Sequence, residues 1–98
     1  MKESKKLTQD VVELKLAQEL SGWEYCEKHN AIEKDFLRKN FLDCVSFIQH
    51  IAKAAEAADH HPDLLLHDYK KVRVMLSTHD AGGITQNDFD LAATIEKL

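Results

Sequence analysis

Proline occurs once in these 98 residues, glycine three times and cysteine twice. A chain this poor in proline and glycine has no room for a flexible linker, and it carries no repeat or low-complexity segment, so one domain is expected over 1–98 with 1–6 flexible. Cys26 and Cys44 do not have the spacing of a metal-binding pair, and the plain expectation is free, buried thiols in a reducing compartment. No apolar run approaches the roughly 18 residues that a membrane-spanning helix needs. The N-terminal stretch "MKESKKLTQD" lacks the apolar segment of a signal peptide, so a cytoplasmic protein is expected, or a nuclear one in a eukaryote. Positive charge is not in excess: 13 basic and 17 acidic residues give a net charge of −4, which argues against direct binding of nucleic-acid phosphates. What the chain does have is 44% apolar and 31% charged residues, the composition of a folded domain.

Its periodicity changes along its length. Thr8 is placed to cap a first helix, with Leu7 and Val12 as a staple across it and Val11, Val12, Leu16, Ala17 and Leu20 as its apolar residues. Ser21-Gly22 stops it. Trp23 and Tyr25, then Ile32 and Phe36, read as two strands around a polar turn at 28–30. Arg38 takes a strand position that calls for a large apolar side chain. Asn40 caps a long helix whose stripe is Leu42, Val45, Ile48, Ile51, Ala52 and Ala55, with Phe41 and Phe47 partly off it. Alanines at 52, 54, 55, 57 and 58 permit close approach of another helix, and Pro62 is expected to end this one. The apolar run at 64–66 and the alternation of Val72, Val74 and Leu76 read as a second strand pair, and Gly82-Gly83 as a turn. Thr85 and Asp88 form a capping box for a last helix, with Ile84 and Phe89 as its staple and Leu91, Ala92, Ile95 and Leu98 inward. The expected fold is α+β in two layers: a small antiparallel four-stranded sheet with helices packed on one face, in the order α-β-β-α-β-β-α.

Histidine is the residue most out of proportion. His60 and His61 precede the single proline, and His79 precedes the Gly-Gly turn. Two structural readings compete with chemistry here: histidines at a helix C-terminus are favoured by its dipole, by about 0.3–1 kcal/mol, and exposed histidines are common. A three-imidazole zinc site is disfavoured because adjacent histidines point apart, and no His-x-x-x-His pair is present. Proton transfer needs only an imidazole, whose ordinary pKa lies near neutrality, within reach of the reacting group. A helix end carrying His60-His61 and a strand end carrying His79 can converge on one such pocket.

The spacing is specific: Glu56, three residues, His60-His61-Pro62, six residues, Tyr69, nine residues, His79, eight residues, Asp88. Together with "STHDAGGIT" at 77–85, Gly22-Trp23 and the alanine-rich helix, this resembles the signature of the pterin-4a-carbinolamine dehydratases, over roughly residue 7 to the end. The resemblance implies dehydration of 4a-hydroxytetrahydropterin to quinonoid dihydropterin, recycling tetrahydropterin for an aromatic amino acid hydroxylase, with no metal and no cofactor beyond the pterin substrate. It implies His60, His61 and His79 as the catalytic set, with His60 and His79 exchanging protons and His61 holding the ring. Glu56, Asp59, Pro62, Tyr69, Ser77, Thr78, Asp80 and Asp88 are the further candidates for the substrate pocket. Glu56 is placed to orient His60, although plain helix surface explains it equally, and capping alone explains Asp88. The segment "DLLLHDY" departs from relatives that carry tryptophan there and are one residue shorter, and His67 has no assigned role.

The resemblance also implies homodimers through sheet edges and homotetramers through helices. In animal relatives the long-helix surface serves a second role, as a dimerisation cofactor for a transcription factor. That role predicts effects from Phe47 or Ile51 and none from the histidines. A repurposed dehydratase in folate or molybdopterin metabolism is a further alternative.

Overall fold

The computed structural model describes residues 5–98; the expectation of a flexible stretch over 1–6 lies mostly outside them. Thr8 is extended, and its hydroxyl accepts from the Val11 N–H, which starts α1 (Gln9–Glu19). Val12 and Leu16 face the core from α1, whereas Val11 and Ala17 are exposed, so its stripe is narrower than the sequence predicts. Gly22, at φ 93°, then turns the chain into β1 (Glu24–Cys26). A turn closed by the Asn30 N–H on the Glu27 carbonyl leads into β2 (Ala31–Leu37).

Asn40 caps α2 (Phe41–Ala58), its side chain accepting from the Asp43 N–H at 2.8 Å. Proline does not end this helix. Asp59 adopts the left-handed conformation (φ 51°, ψ 44°) and its N–H bonds back to the carbonyls of Ala55 and Glu56, so α2 stops before Pro62 is reached. β3 (Asp63–His67) and β4 (Lys71–Leu76) follow as a hairpin, then a short 3-10 turn (His79–Ala81) and α3 (Gln86–Glu96). Thr85 and Asp88 form the predicted capping box of α3.

The four strands lie in the order β1-β2-β4-β3, every neighbouring pair antiparallel. Alternation along them sends Ile32, Val72, Val74 and Leu76 to the helices, where they join Val12, Leu16, Phe47, Ile51, Phe89 and Ile95 in one core. Each such side chain stabilises the fold by about 1.5–3 kcal/mol relative to leaving it in water. The expected two-layer α+β architecture is therefore the observed one, with the other sheet face left partly open.

Four details differ from expectation. The inward stripe of α2 is Cys44, Phe47, Ile51 and Ala55, so Phe47 is 3% exposed while Leu42 is 78% exposed. One position along a helix rotates the face by about 100°, which is why a stripe assigned a step or two off exchanges core for surface. Leu98 is exposed because α3 ends before it. Arg38 lies just past β2, and its guanidinium stacks 4.5 Å from the Phe47 ring centroid; a cation–π contact covers the core where an apolar side chain was expected. Of the two cysteines, both free, only Cys44 is buried.

Candidate functional site

Because α2 and β4 both finish at the same end of the molecule, the residues that follow them meet. Asp63 at the start of β3 pairs with Met75 near the end of β4, which ties the segment carrying His60 and His61 to the segment carrying Ser77, Thr78 and His79. The 3-10 turn is closed by Thr78 N–H on the Gly83 carbonyl at 2.8 Å and held from outside by the Asn30 side-chain amide on the Gly82 carbonyl at 2.7 Å. Gly82 is left-handed at φ 74°, a conformation that glycine adopts without a Cβ clash. Between these segments and the start of α3 lies a cavity of about 400 Å³, lined by Asp59, His60, His61, Ser77, Thr78, His79, Asp80 and Asn87. That volume suits a small bicyclic ligand.

The histidines occupy unlike surroundings. His60 is 8% exposed, and its Nε2 lies 2.6 Å from Oδ1 of the fully buried Asp88. The other Asp88 oxygen accepts from the Thr78 hydroxyl and from the Thr85 N–H, both at 2.9 Å. Thr78 Oγ1 is also 2.8 Å from Thr85 Oγ1; since Thr78 spends its proton on Asp88, Thr85 is the donor of that pair. Both oxygens of this buried carboxylate thus meet donors, one on Oδ1 and two on Oδ2, as a buried charge requires. A carboxylate only accepts, so the His60 proton sits on Nε2, leaving Nδ1 as its remaining ring nitrogen.

His61 is exposed, and its Nε2 lies 2.6 Å from Oε2 of Glu56, also exposed. The same logic places its proton on Nε2 and leaves Nδ1 for a ligand. Glu56 therefore pairs with His61, not with His60 as the sequence spacing implied. His79 is exposed and lines the same cavity from the start of the 3-10 turn. Among the described residues, the group of His, Cys, Asp and Glu side chains whose ligand atoms converge lies on the β1–β2 hairpin and includes none of these histidines.

Most of the candidates named from sequence are brought together here: His60, His61, His79, Asp59, Ser77, Thr78 and Asp80 line the cavity, with Glu56 and Asp88 behind two of the histidines. Pro62 follows His61 and is half-buried outside the lining. Tyr69 does not line the cavity. It is 62% exposed in the β3–β4 turn, at the His67–Lys71 end of the hairpin, about 13 Å of strand away from the Asp63–Met75 end. Asn87 was not anticipated; its position beside Asp88 in the first turn of α3 was the available signal.

Comparison with known proteins places the chain in a family. The family model described as pterin 4 alpha carbinolamine dehydratase matches residues 5–98. The chain belongs to that family. A relative carrying the dehydratase name from Aquifex aeolicus is 44% identical over 94 residues, covering 96% of this chain and 91% of the relative. Another, from Sulfolobus acidocaldarius, is 41% identical, covering 95% and 98%. The crystal structure of a transcriptional coactivator/pterin dehydratase from Brucella melitensis superposes with a TM-score of 0.84 at 32% identity, covering 94% of this chain and 96% of that one. Membership in this dehydratase family rests on nearly the whole domain, the cavity included. Among the described residues no helix is long and apolar enough to cross a membrane.

Proposed function

We propose that this chain dehydrates a 4a-hydroxytetrahydropterin in the cavity at the end of α2, by proton transfer between imidazoles and substrate. The observation that carries the reading is that His60, His61 and His79 line one cavity of about 400 Å³, His61 and His79 exposed and His60 anchored on a buried carboxylate. In the reaction the C4a–O bond breaks and the hydroxyl leaves as water after accepting a proton. The N5 lone pair forms the C4a=N5 double bond, and the N5 proton passes to a base. One proton is supplied and one is recovered, so two imidazoles complete the cycle without a change of oxidation state.

Burial argues for a different division of labour from the one expected from sequence. His60 has its Nε2 committed to Asp88 and little exposure, which suits holding the pterin ring through Nδ1. His61, oriented by Glu56, and His79 have the access that proton exchange needs. Ser77 brings a hydroxyl group, and Asp59, Asp80 and Asn87 side-chain oxygens, to the lining that would meet the polar edge of a pterin. Recycling of tetrahydropterin for an aromatic amino acid hydroxylase is the role that fits this product.

The test is the rate of 4a-carbinolamine loss, followed by ultraviolet absorbance in the presence of a chelator. His61→Ala and His79→Ala are each expected to lower kcat by about 10²-fold or more, the range of a lost general acid or base. His60→Ala is expected to act mainly on KM. A folded wild type that does no better than buffer would refute the dehydratase reading. Loss of kcat in His60→Ala and His79→Ala, with His61→Ala acting mainly on KM, would restore the assignment made from sequence.

A further inference from the structure

The β1–β2 hairpin carries a second cluster of chemically active side chains, separate from the histidines of the cavity. Cys26 is the last residue of β1, His29 lies in the turn, and Glu33 is the third residue of β2. The register Cys26↔Ala31 and Glu24↔Glu33 puts Cys26 and Glu33 on the same, open face of the sheet, and the turn brings His29 over it. Cys26 Sγ is 3.5 Å from His29 Nδ1, and His29 Nδ1 is 3.9 Å from Glu33 Oε2. One ligand atom from each residue lies within 4.8 Å of the other two.

From these distances we infer that the hairpin is a site for divalent zinc, held by the Cys26 thiolate, His29 Nδ1 and the Glu33 carboxylate. Sulfur at about 2.3 Å and nitrogen at about 2.0–2.1 Å from a tetrahedral zinc stand about 3.6 Å apart, close to the separation already present. Nitrogen and oxygen ligands of the same ion stand about 3.4 Å apart, so Glu33 needs to close by about half an ångström. An independent feature points the same way. Glu33 Oε2 is buried with no hydrogen-bond partner, an acceptor whose desolvation is uncompensated in the free protein and would be relieved by a cation. Arg73, the nearby cation, is committed through two hydrogen bonds to Asp35. Binding displaces the thiol proton of Cys26 to solvent and uses the lone pair of a neutral His29. Three protein ligands leave a fourth position open to water. His29 also lines a cavity of about 270 Å³ together with Ser77 and His79, so the metal site adjoins the pterin cavity without sharing its histidines as ligands.

Titration of the full chain with Co²⁺, as a spectroscopic stand-in, and then with Zn²⁺ in competition tests this without reference to dehydratase activity. One Co²⁺ per chain is expected, with a thiolate-to-cobalt charge-transfer band that Zn²⁺ abolishes. The band should vanish in Cys26→Ser and His29→Ala but persist in Cys44→Ser and in His79→Ala. Glu33→Gln should weaken binding more than about tenfold, since even groups outside the first shell contribute about 10–100-fold. Circular dichroism checks that each variant is folded. A wild type without the band, or a band that survives Cys26→Ser or His29→Ala in folded protein, overturns the proposal.

Discussion

At the scale of single residues, Asp88 shows how one side chain serves structure and site together. Its position three residues after Thr85 made a helix cap legible in the sequence, and the cap is there. What the sequence does not encode locally is the third partner: His60 is 28 positions away, and only the packing of α2 against α3 brings Nε2 to within 2.6 Å. The Glu56–His61 pair was missed for a related reason. Spacing one helical turn apart pointed to His60, but the left-handed Asp59 ends the helix between them and turns His61 back toward Glu56 instead. Asp88→Asn tests the double role. An amide keeps one acceptor and presents donors at the other, so either His60 or the Thr78 and Thr85 donors lose their partner, at a cost of about 1–3 kcal/mol. Urea unfolding should report that loss. Nitrogen NMR of the His60 ring should show which partner is lost: a changed tautomer if the amide donors face His60, an unchanged one if the amide oxygen does and the loss falls on Thr78 and Thr85. An unchanged tautomer together with unchanged urea stability would mean that Asp88 serves neither role.

At the scale of elements, the strands were legible where one face is buried and the alternation is regular, as in Val72, Val74 and Leu76. The open face was not, because its residues are read only through their cross-strand neighbours. Asp35 on β2, directly opposite Arg73 on β4, accepts from Arg73 Nε at 2.9 Å and Nη2 at 3.1 Å, and His67 on β3 stands 3.1 Å from the same carboxylate. This gives the previously unassigned His67 a place in a three-strand ionic cluster. The Arg73 hydrogen bonds hold the Asp35 carboxyl below its ordinary value of 3.8, against the opposing effect of burial and with help from His67. A folded-state pKa below the unfolded one contributes stability that is present above the unfolded value and lost as pH falls through the folded one. Arg73→Gln removes the largest contribution, so the variant should be less stable than wild type near neutrality, and the difference should shrink as pH falls through the Asp35 value. Urea unfolding of wild type and variant near neutrality and in acid, followed by tryptophan fluorescence, measures this, and equal stabilities near neutrality would show that the cluster does not couple to folding. Tyr69 belongs to the same lesson: its spacing in the motif gives its distance along the chain, but the β3–β4 hairpin carries it to the end opposite the cavity.

At the scale of the whole molecule, α2 is the element on which the sequence reading and the structure differ most usefully. The sequence of the long helix gives one apolar stripe with Phe41 and Phe47 partly off it, and the resemblance implies a partner on its surface. The buried stripe has a different membership from the one expected. Phe47 and Ile51, which the partner reading would have put on the docking surface, are 3% and 0% exposed in the core. The large apolar residues that α2 offers to solvent are Phe41 and Leu42, at 54% and 78% exposure, near its N-terminus, while Ala52, Ala57 and Ala58 are exposed farther along it. Loss of function on substituting Phe47 or Ile51 would therefore report unfolding. A domain of this size has about 5–15 kcal/mol of stability in all. Ile51→Ala should cost about 2–5 kcal/mol of it, because the buried side chain leaves a cavity between α2 and the sheet. Leu42→Glu should stay within about 0.5 kcal/mol of wild type at high dilution, as surface changes do. The two variants separate when melting is measured across protein concentration. If copies associate through the Leu42 face, association stabilises the folded chain by mass action, and the wild-type melting temperature rises with concentration. Leu42→Glu should abolish that rise, whereas Ile51→Ala should lower the melting temperature at every concentration. A concentration dependence that persists in Leu42→Glu would place any association on another surface, with the open face of the sheet as the next to examine.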